Sequence, residues 1–95
     1  MDTSTVLLVL PCAHWVFSGM AEKNENIAKQ FGANLRKIRK GQNLTQVDVA
    51  FDAELEPSYM TRLENGRSEP SLSTILVLAK ALKVKVTELL EGIEI

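Results

Sequence analysis

Apolar residues return along this chain at helical intervals, in short blocks set apart by polar turn residues. Ile27, Phe31, Leu35 and Ile38 recur at that spacing and form one buried stripe, which predicts a first helix over about Ala21 to Gln42. Asn24 or Asn26 can cap its start, and Asn43 suits the left-handed stop that follows it. Thr45 offers its hydroxyl to the free amides of a second helix, over about Gln46 to Ala53. Val49, Ala50 and Ala53 share one face of it, Ala50 is small enough to let a neighbour cross closely, and Leu55 fills the gap in the turn. Pro57 opens a third helix over about Pro57 to Glu64, because proline in a first turn forfeits no hydrogen bond. Met60 and Leu63 are its inner face, and Asn65-Gly66 is its stop signal. Arg67 to Pro70 reads as a loop. Ser71 caps a fourth helix with Leu72, Ile75, Leu76, Ala79 and Leu82 inward. Beyond Lys83 and Val84, a fifth helix over about Val86 to Glu91 turns Val86, Leu89 and Leu90 inward or towards a partner. Ile93 and Ile95 remain as an apolar tail. The expected fold class is all-α, a compact five-helix domain over residues 20–95.

Two short helices joined by a tight turn, the second with Ser58, Tyr59, Thr61 and Arg62 left outward, make a helix-turn-helix, whose second helix enters the DNA major groove. The stretch resembles the phage repressor and Cro family, the XRE-like helix-turn-helix proteins. The resemblance rests on L-T-Q-x-x-x-A at Leu44–Ala50, S-Y-M-T-R-L-E-N-G at Ser58–Gly66, P-S-L-x-T-I at Pro70–Ile75 and L-A-K-A-L at Leu78–Leu82. It covers roughly Phe31 to Leu90. It implies a repressor-like DNA-binding domain that acts as a homodimer on an inverted repeat, with recognition helices about 34 Å apart. It also implies an ion pair between Arg39 and Glu64 that fixes the angle of the recognition helix. Of the stand-alone roles such proteins have, a restriction–modification controller is favoured over a phage-type repressor or an antitoxin. Three positions depart from the family pattern: Glu54 and Lys83 stand where glycine is usual, and Glu56 stands where a capping serine or threonine is usual. A residue other than glycine at such a stop must take left-handed backbone or alter the turn.

Candidate DNA contacts follow from the outward positions. Arg62 can give two parallel hydrogen bonds to guanine O6 and N7, and Ser58 and Thr61 lie on the same side, within reach of bases or methyl groups. Tyr59 either meets phosphate or sugar, or packs half-buried with its hydroxyl wet. Thr45 and Gln46 sit at a helix start that favours anions, and the resemblance implies that this glutamine touches phosphate. Asn65 and Arg67 complete a candidate backbone clamp, whose work is register and not specificity. Arg36, Lys37 and Lys40 are either a solvated face or further phosphate contacts.

Composition changes this picture little. The chain has 95 residues and a formal net charge of −1, so DNA affinity would rest on charge gathered on one face. One cysteine, Cys12, excludes an internal disulfide framework and fits a reducing cytoplasmic setting. Met1 to Gly19 differs from the rest: it carries no lysine or arginine, and Val6 to Leu10 is an apolar run ended by Pro11. This atypical extension over residues 1–19 fits either a start placed too early, with the natural one at Met20, or an arm that packs on the domain. It is too short for a membrane span. Cys12 and His14 are too few to hold zinc, so neither a metal nor a cofactor is expected. No nucleophile–base pair, phosphate loop or paired acids point to an enzyme. The expected partners are double-stranded DNA and a second copy bound through the C-terminal helices. A polymerase or toxin partner is a further expectation, and the alternative function is an antitoxin-type interaction module.

Overall fold

The computed structural model describes residues 25–95. The extension over residues 1–19, the candidate cap Asn24, and Cys12 with His14 lie outside them. Five helices follow one another among the described residues: α1 (Glu25–Gly41), α2 (Gln46–Ala53), α3 (Pro57–Glu64), α4 (Leu72–Leu82) and α5 (Val86–Leu89). The bounds of α2 and α3 are those the sequence predicts, and the all-α fold class holds. Thr45 caps α2 through a reciprocal box: its hydroxyl accepts from the Asp48 amide at 3.0 Å, and the Asp48 carboxylate accepts from the Thr45 amide at 3.0 Å. The Thr45 amide first, and its hydroxyl second, hold the Asp48 carboxyl below its ordinary value. Ser71 likewise accepts from the Thr74 amide at the start of α4.

The first four helices stop in one way, with a left-handed residue followed by a backbone bond that reaches back over the last turn. Asn43, Glu54, Gly66 and Lys83 have φ of 61°, 59°, 74° and 59°. The amides of Leu44, Leu55, Arg67 and Val84 donate to the carbonyls of Arg39, Ala50, Arg62 and Ala79. Glu54 and Lys83 therefore keep the turn and take the strained conformation. For a residue with a Cβ this costs about 1–2 kcal/mol. Glu54→Gly and Lys83→Gly are each expected to raise stability by up to about 1 kcal/mol, after the greater freedom of unfolded glycine is set against the relief. Urea denaturation of the single variants checks this, and a loss of stability in both would refute it.

The core gathers Phe31 and Leu35 from α1, Val49 and Ala50 from α2, Met60 and Leu63 from α3, Leu78 and Leu82 from α4, and Leu89 from α5. Four expectations need correction. Ile27 is only half-buried, and Ala28 takes the inner position at the start of α1. On α4, Leu72 and Leu76 were expected inside but are 69% and 50% exposed, while Thr74 and Leu78 face inward. Leu78, Ala79 and Leu82, with Ile75 packed beside them, set the inner side, and Thr74 falls on it. Its hydroxyl lies 3.0 Å from Ser71 Oγ and 3.4 Å from the Tyr59 hydroxyl, so it can be buried with its hydrogen bonding met. The fifth helix ends at Leu89, not Glu91, and is a single turn; Leu90 beyond it is exposed, which leaves it the partner-facing alternative. Asn26 lies within α1 and does not cap it.

Helices α1 and α3 approach closely at Gly32. A Cβ there would stand 2.4 Å from the Leu63 carbonyl oxygen and 2.7 Å from that of Glu64. The end of α3 thus rests directly on the backbone of α1. Asn34 ties the other end of the domain together, donating to the Leu89 and Glu91 carbonyls at 2.8 and 3.0 Å.

Candidate nucleic-acid interface

Helix α3 is short, and its neighbours hold it in place. Met60 and Leu63 anchor its inner face, and Gly32 admits its end against α1. The outer face carries Ser58, Thr61 and Arg62, all exposed, with Tyr59 half-buried at its edge.

A buried carboxylate fixes the base of this helix. Glu64 Oε2 accepts from Arg39 Nε at 2.6 Å, and Oε1 accepts from Arg39 Nη2 at 2.9 Å. Such a two-point pair sets orientation as well as distance. Oε1 also accepts from Gln46 Nε2 at 2.9 Å and Arg36 Nε at 3.2 Å. The remaining Arg39 nitrogen, Nη1, donates to the Leu44 carbonyl at 2.8 Å, just before α2 begins. One carboxylate therefore joins α1, α2 and α3. Burial alone would push the Glu64 carboxyl up. The hydrogen bonds from Arg39, Gln46 and Arg36, with the Arg39 charge, outweigh it and hold it below the ordinary carboxylate range.

The network continues to the surface. Thr61 Oγ1 donates to Gln46 Oε1 at 2.8 Å, with the Pro57 carbonyl 3.1 Å away as an alternative acceptor. Gln46 is half-buried and bridges Glu64 to Thr61, so both side chains already have partners inside the protein. Arg62 lies with its guanidinium carbon 5.4 Å from the centre of the Tyr59 ring, a cation–π distance. Its Nε is 3.4 Å from Ser68 Oγ. The Tyr59 hydroxyl points to Thr74, not to solvent alone. Asn65 Oδ1 accepts from Arg36 Nη2 at 3.2 Å. Arg67 is exposed, in the loop after α3. Thr45 is exposed and occupied as the α2 cap.

The structure brings Gln46, Thr61, Glu64 and Arg39 into one chain of bonds. It sets Arg62 with Tyr59 and Ser68 on the side nearer α4. Sequence reasoning did not identify Ser68 as an Arg62 neighbour, nor Asp48 as the second half of the cap. The threonine-x-x-aspartate spacing was available for Asp48; nothing local marks Ser68. A shallow cleft between α1 and the end of α3 is lined by Lys29, Arg36, Lys37 and Lys40 together with Glu64 and Asn65. Basic residues are thus concentrated beside α3 although the chain is nearly neutral. Among the described residues no cluster of His, Cys, Asp and Glu can hold a metal, and no helix is long and apolar enough to cross a membrane.

The comparisons with known proteins agree with this architecture. A family model described as helix-turn-helix matches residues 35–89, more than half of the chain. The control protein C.BamHI of Bacillus amyloliquefaciens is 36% identical over 67 residues, which are 70% of this chain and 83% of that protein. The transcriptional regulator DdrOP3 of Deinococcus deserti is 40% identical over 63% of this chain and 46% of its own length. This chain spans less than half the length of DdrOP3 and of the Bacillus phage phi105 immunity repressor, which is 43% identical over 56 residues. The crystal structure of the restriction–modification controller protein C.AhdI from Aeromonas hydrophila superposes with a TM-score of 0.64 at 39% identity, covering 65% of this chain and 94% of that one. On the family-model match over more than half of its length, the chain belongs to the helix-turn-helix family that includes these regulators.

Proposed function

We propose that this protein is a sequence-specific DNA-binding transcriptional regulator of the restriction–modification controller type, working as a homodimer on an inverted-repeat operator. The observation that carries the proposal is the outer face of α3. Ser58 and Arg62 are exposed there, on a helix whose angle is set by the buried Arg39–Glu64 pair and by the close contact at Gly32. In the groove, Arg62 leaves the Tyr59 ring and gives two parallel hydrogen bonds to a guanine. Ser58 reads the neighbouring base edge. Thr61 acts with Gln46, the pair lying across the step from α3 to the start of α2, where a phosphate meets a helix N-terminus. Lys29, Arg36, Lys37, Lys40, Asn65 and Arg67 flank α3 and fix register on the backbone. Repression or activation follows from occupancy of a promoter, with no catalytic step.

A second copy is supported by the apolar residues that α4 and the C-terminus leave outside. Leu72 and Leu76 lie one turn apart on α4, and Leu90 and Ile95 are exposed beyond it. Pairing them in a two-fold dimer would cover them and relate two α3 helices by the two-fold axis. Light scattering after size exclusion is expected to give twice the monomer mass. Arg62→Ala is expected to lose about 1–3 kcal/mol at the cognate site and to relax one base position per half-site. Gel shifts on cognate and scrambled duplexes measure this, and equal binding by variant and unaltered protein would reject the role.

A further inference from the structure

We infer that Glu56 is a specificity-determining residue that accepts a hydrogen bond from the N4 amino group of a cytosine in the major groove. The inference rests on the DNA-reading role proposed for α3. Glu56 is the residue from which α3 springs, with extended backbone at φ −72° and ψ 139°. A residue at that place ordinarily turns its side chain back to cap the helix; the Glu56 side chain makes no cap bond. It is exposed and has no hydrogen-bond or ion-pair partner among the described residues. Thr61 is bonded to Gln46, and Arg62 leans on Tyr59 and Ser68, so Glu56 and Ser58 are the exposed side chains at the start of α3 with no partner among the described residues. The leading end of a recognition helix is the part that meets base edges.

A carboxylate carries only acceptors at neutral pH, so its partner must be a donor. In the major groove the donors are the cytosine N4 and adenine N6 amino groups. Adenine sets its N7 lone pair beside N6, which repels a carboxylate, whereas cytosine has no acceptor there. The geometry therefore selects cytosine. Glu56 and Arg62 are six positions apart, which is roughly 9 Å along a helix. The cytosine is then expected within about three base pairs of the guanine read by Arg62, at the 3.4 Å spacing of stacked bases. The competing consequence of an acid here is plain repulsion of phosphate, and it differs in what it does to specificity.

Selection of bound sequences from a randomised duplex pool, with unaltered protein, Glu56→Gln and Glu56→Ala, separates the two. Glu56→Gln keeps the shape of the side chain, and circular dichroism checks the fold of both. The unaltered protein is expected to enrich cytosine at one position in each half-site. Glu56→Ala is expected to lose about ten-fold discrimination at that position alone. Glu56→Gln is expected to shift the preference towards adenine, which glutamine can both donate to and accept from. Uniformly tighter binding by both variants with an unchanged sequence profile would overturn the inference and leave the DNA-reading role standing. Absence of any sequence preference in the unaltered protein would overturn that role, and this inference with it.

Discussion

Gly32→Ala is expected to destabilise the fold by about 1–2 kcal/mol and to weaken DNA binding in the fraction that remains folded. The added methyl would stand 2.4 and 2.7 Å from two backbone carbonyl oxygens of α3, those of Leu63 and Glu64. Neither oxygen belongs to a flexible side chain that can swing away. Either α3 shifts as a unit or α1 bends, and overpacking of this kind costs about 1–3 kcal/mol or more. Alanine returns about 1 kcal/mol through helix propensity, which keeps the net figure from being larger. Gly41→Ala is the control, because a Cβ there meets nothing within 4 Å. It should be neutral or stabilising. Thermal or urea denaturation of the two variants side by side measures the difference. Equal stability would mean that α3 does not rest on α1 as described.

The second large effect concerns the buried pair. Arg39→Ala leaves a carboxylate enclosed by protein with its best donor gone. Removing one partner of a buried pair typically costs about 3–5 kcal/mol. The lower end is expected here, because Gln46 and Arg36 still donate to Glu64. A double change, Arg39→Met with Glu64→Leu, should recover much of that stability, since an apolar pair often replaces a buried ion pair without loss. It also removes the carboxylate that anchors Gln46, and through it Thr61. The double variant is therefore expected to fold well and to bind DNA poorly, which separates positioning from stability. Acid should act along the same route. The Glu64 carboxyl is held below the ordinary range, so its contribution is complete above that range and fades as pH falls through its folded value. Glu64→Gln should show a weaker acid dependence of stability than the unaltered protein. An identical acid limb in both would show that the pair is not coupled to folding.

Much of this architecture was legible in the sequence because its signals are local. Thr45, Pro57 and Asn65-Gly66 each act within one turn of where they stand, and they set the bounds of α2 and α3. Asn43 marks the end of α1 for the same reason. What was not legible depends on distant partners. The facing of α4 admits Thr74 to the inner side, a polar residue that can be buried because Tyr59, fifteen positions earlier, reaches its hydroxyl. Gly32 looks in sequence like a weak point in a helix, and its purpose appears only when the end of α3 is laid across it. The sequence also left Gln46 and Thr61 as two separate contacts, whereas they are one bonded pair. The outward set on α3 was accessible because Met60 and Leu63 fix which side is inside. Where Arg62 leans was not, because Ser68 and Tyr59 decide it.

The outer face of α3 is proposed to read major-groove edges through Arg62. Methylation interference tests it most directly, since a methyl group on guanine N7 blocks that edge and leaves the phosphates untouched. Operator fragments selected with the unaltered protein should lose binding when one guanine per half-site is methylated, and Arg62→Ala should be indifferent to methylation at that same guanine. Binding by the unaltered protein that tolerates N7 methylation throughout the operator would rule out guanine reading by Arg62.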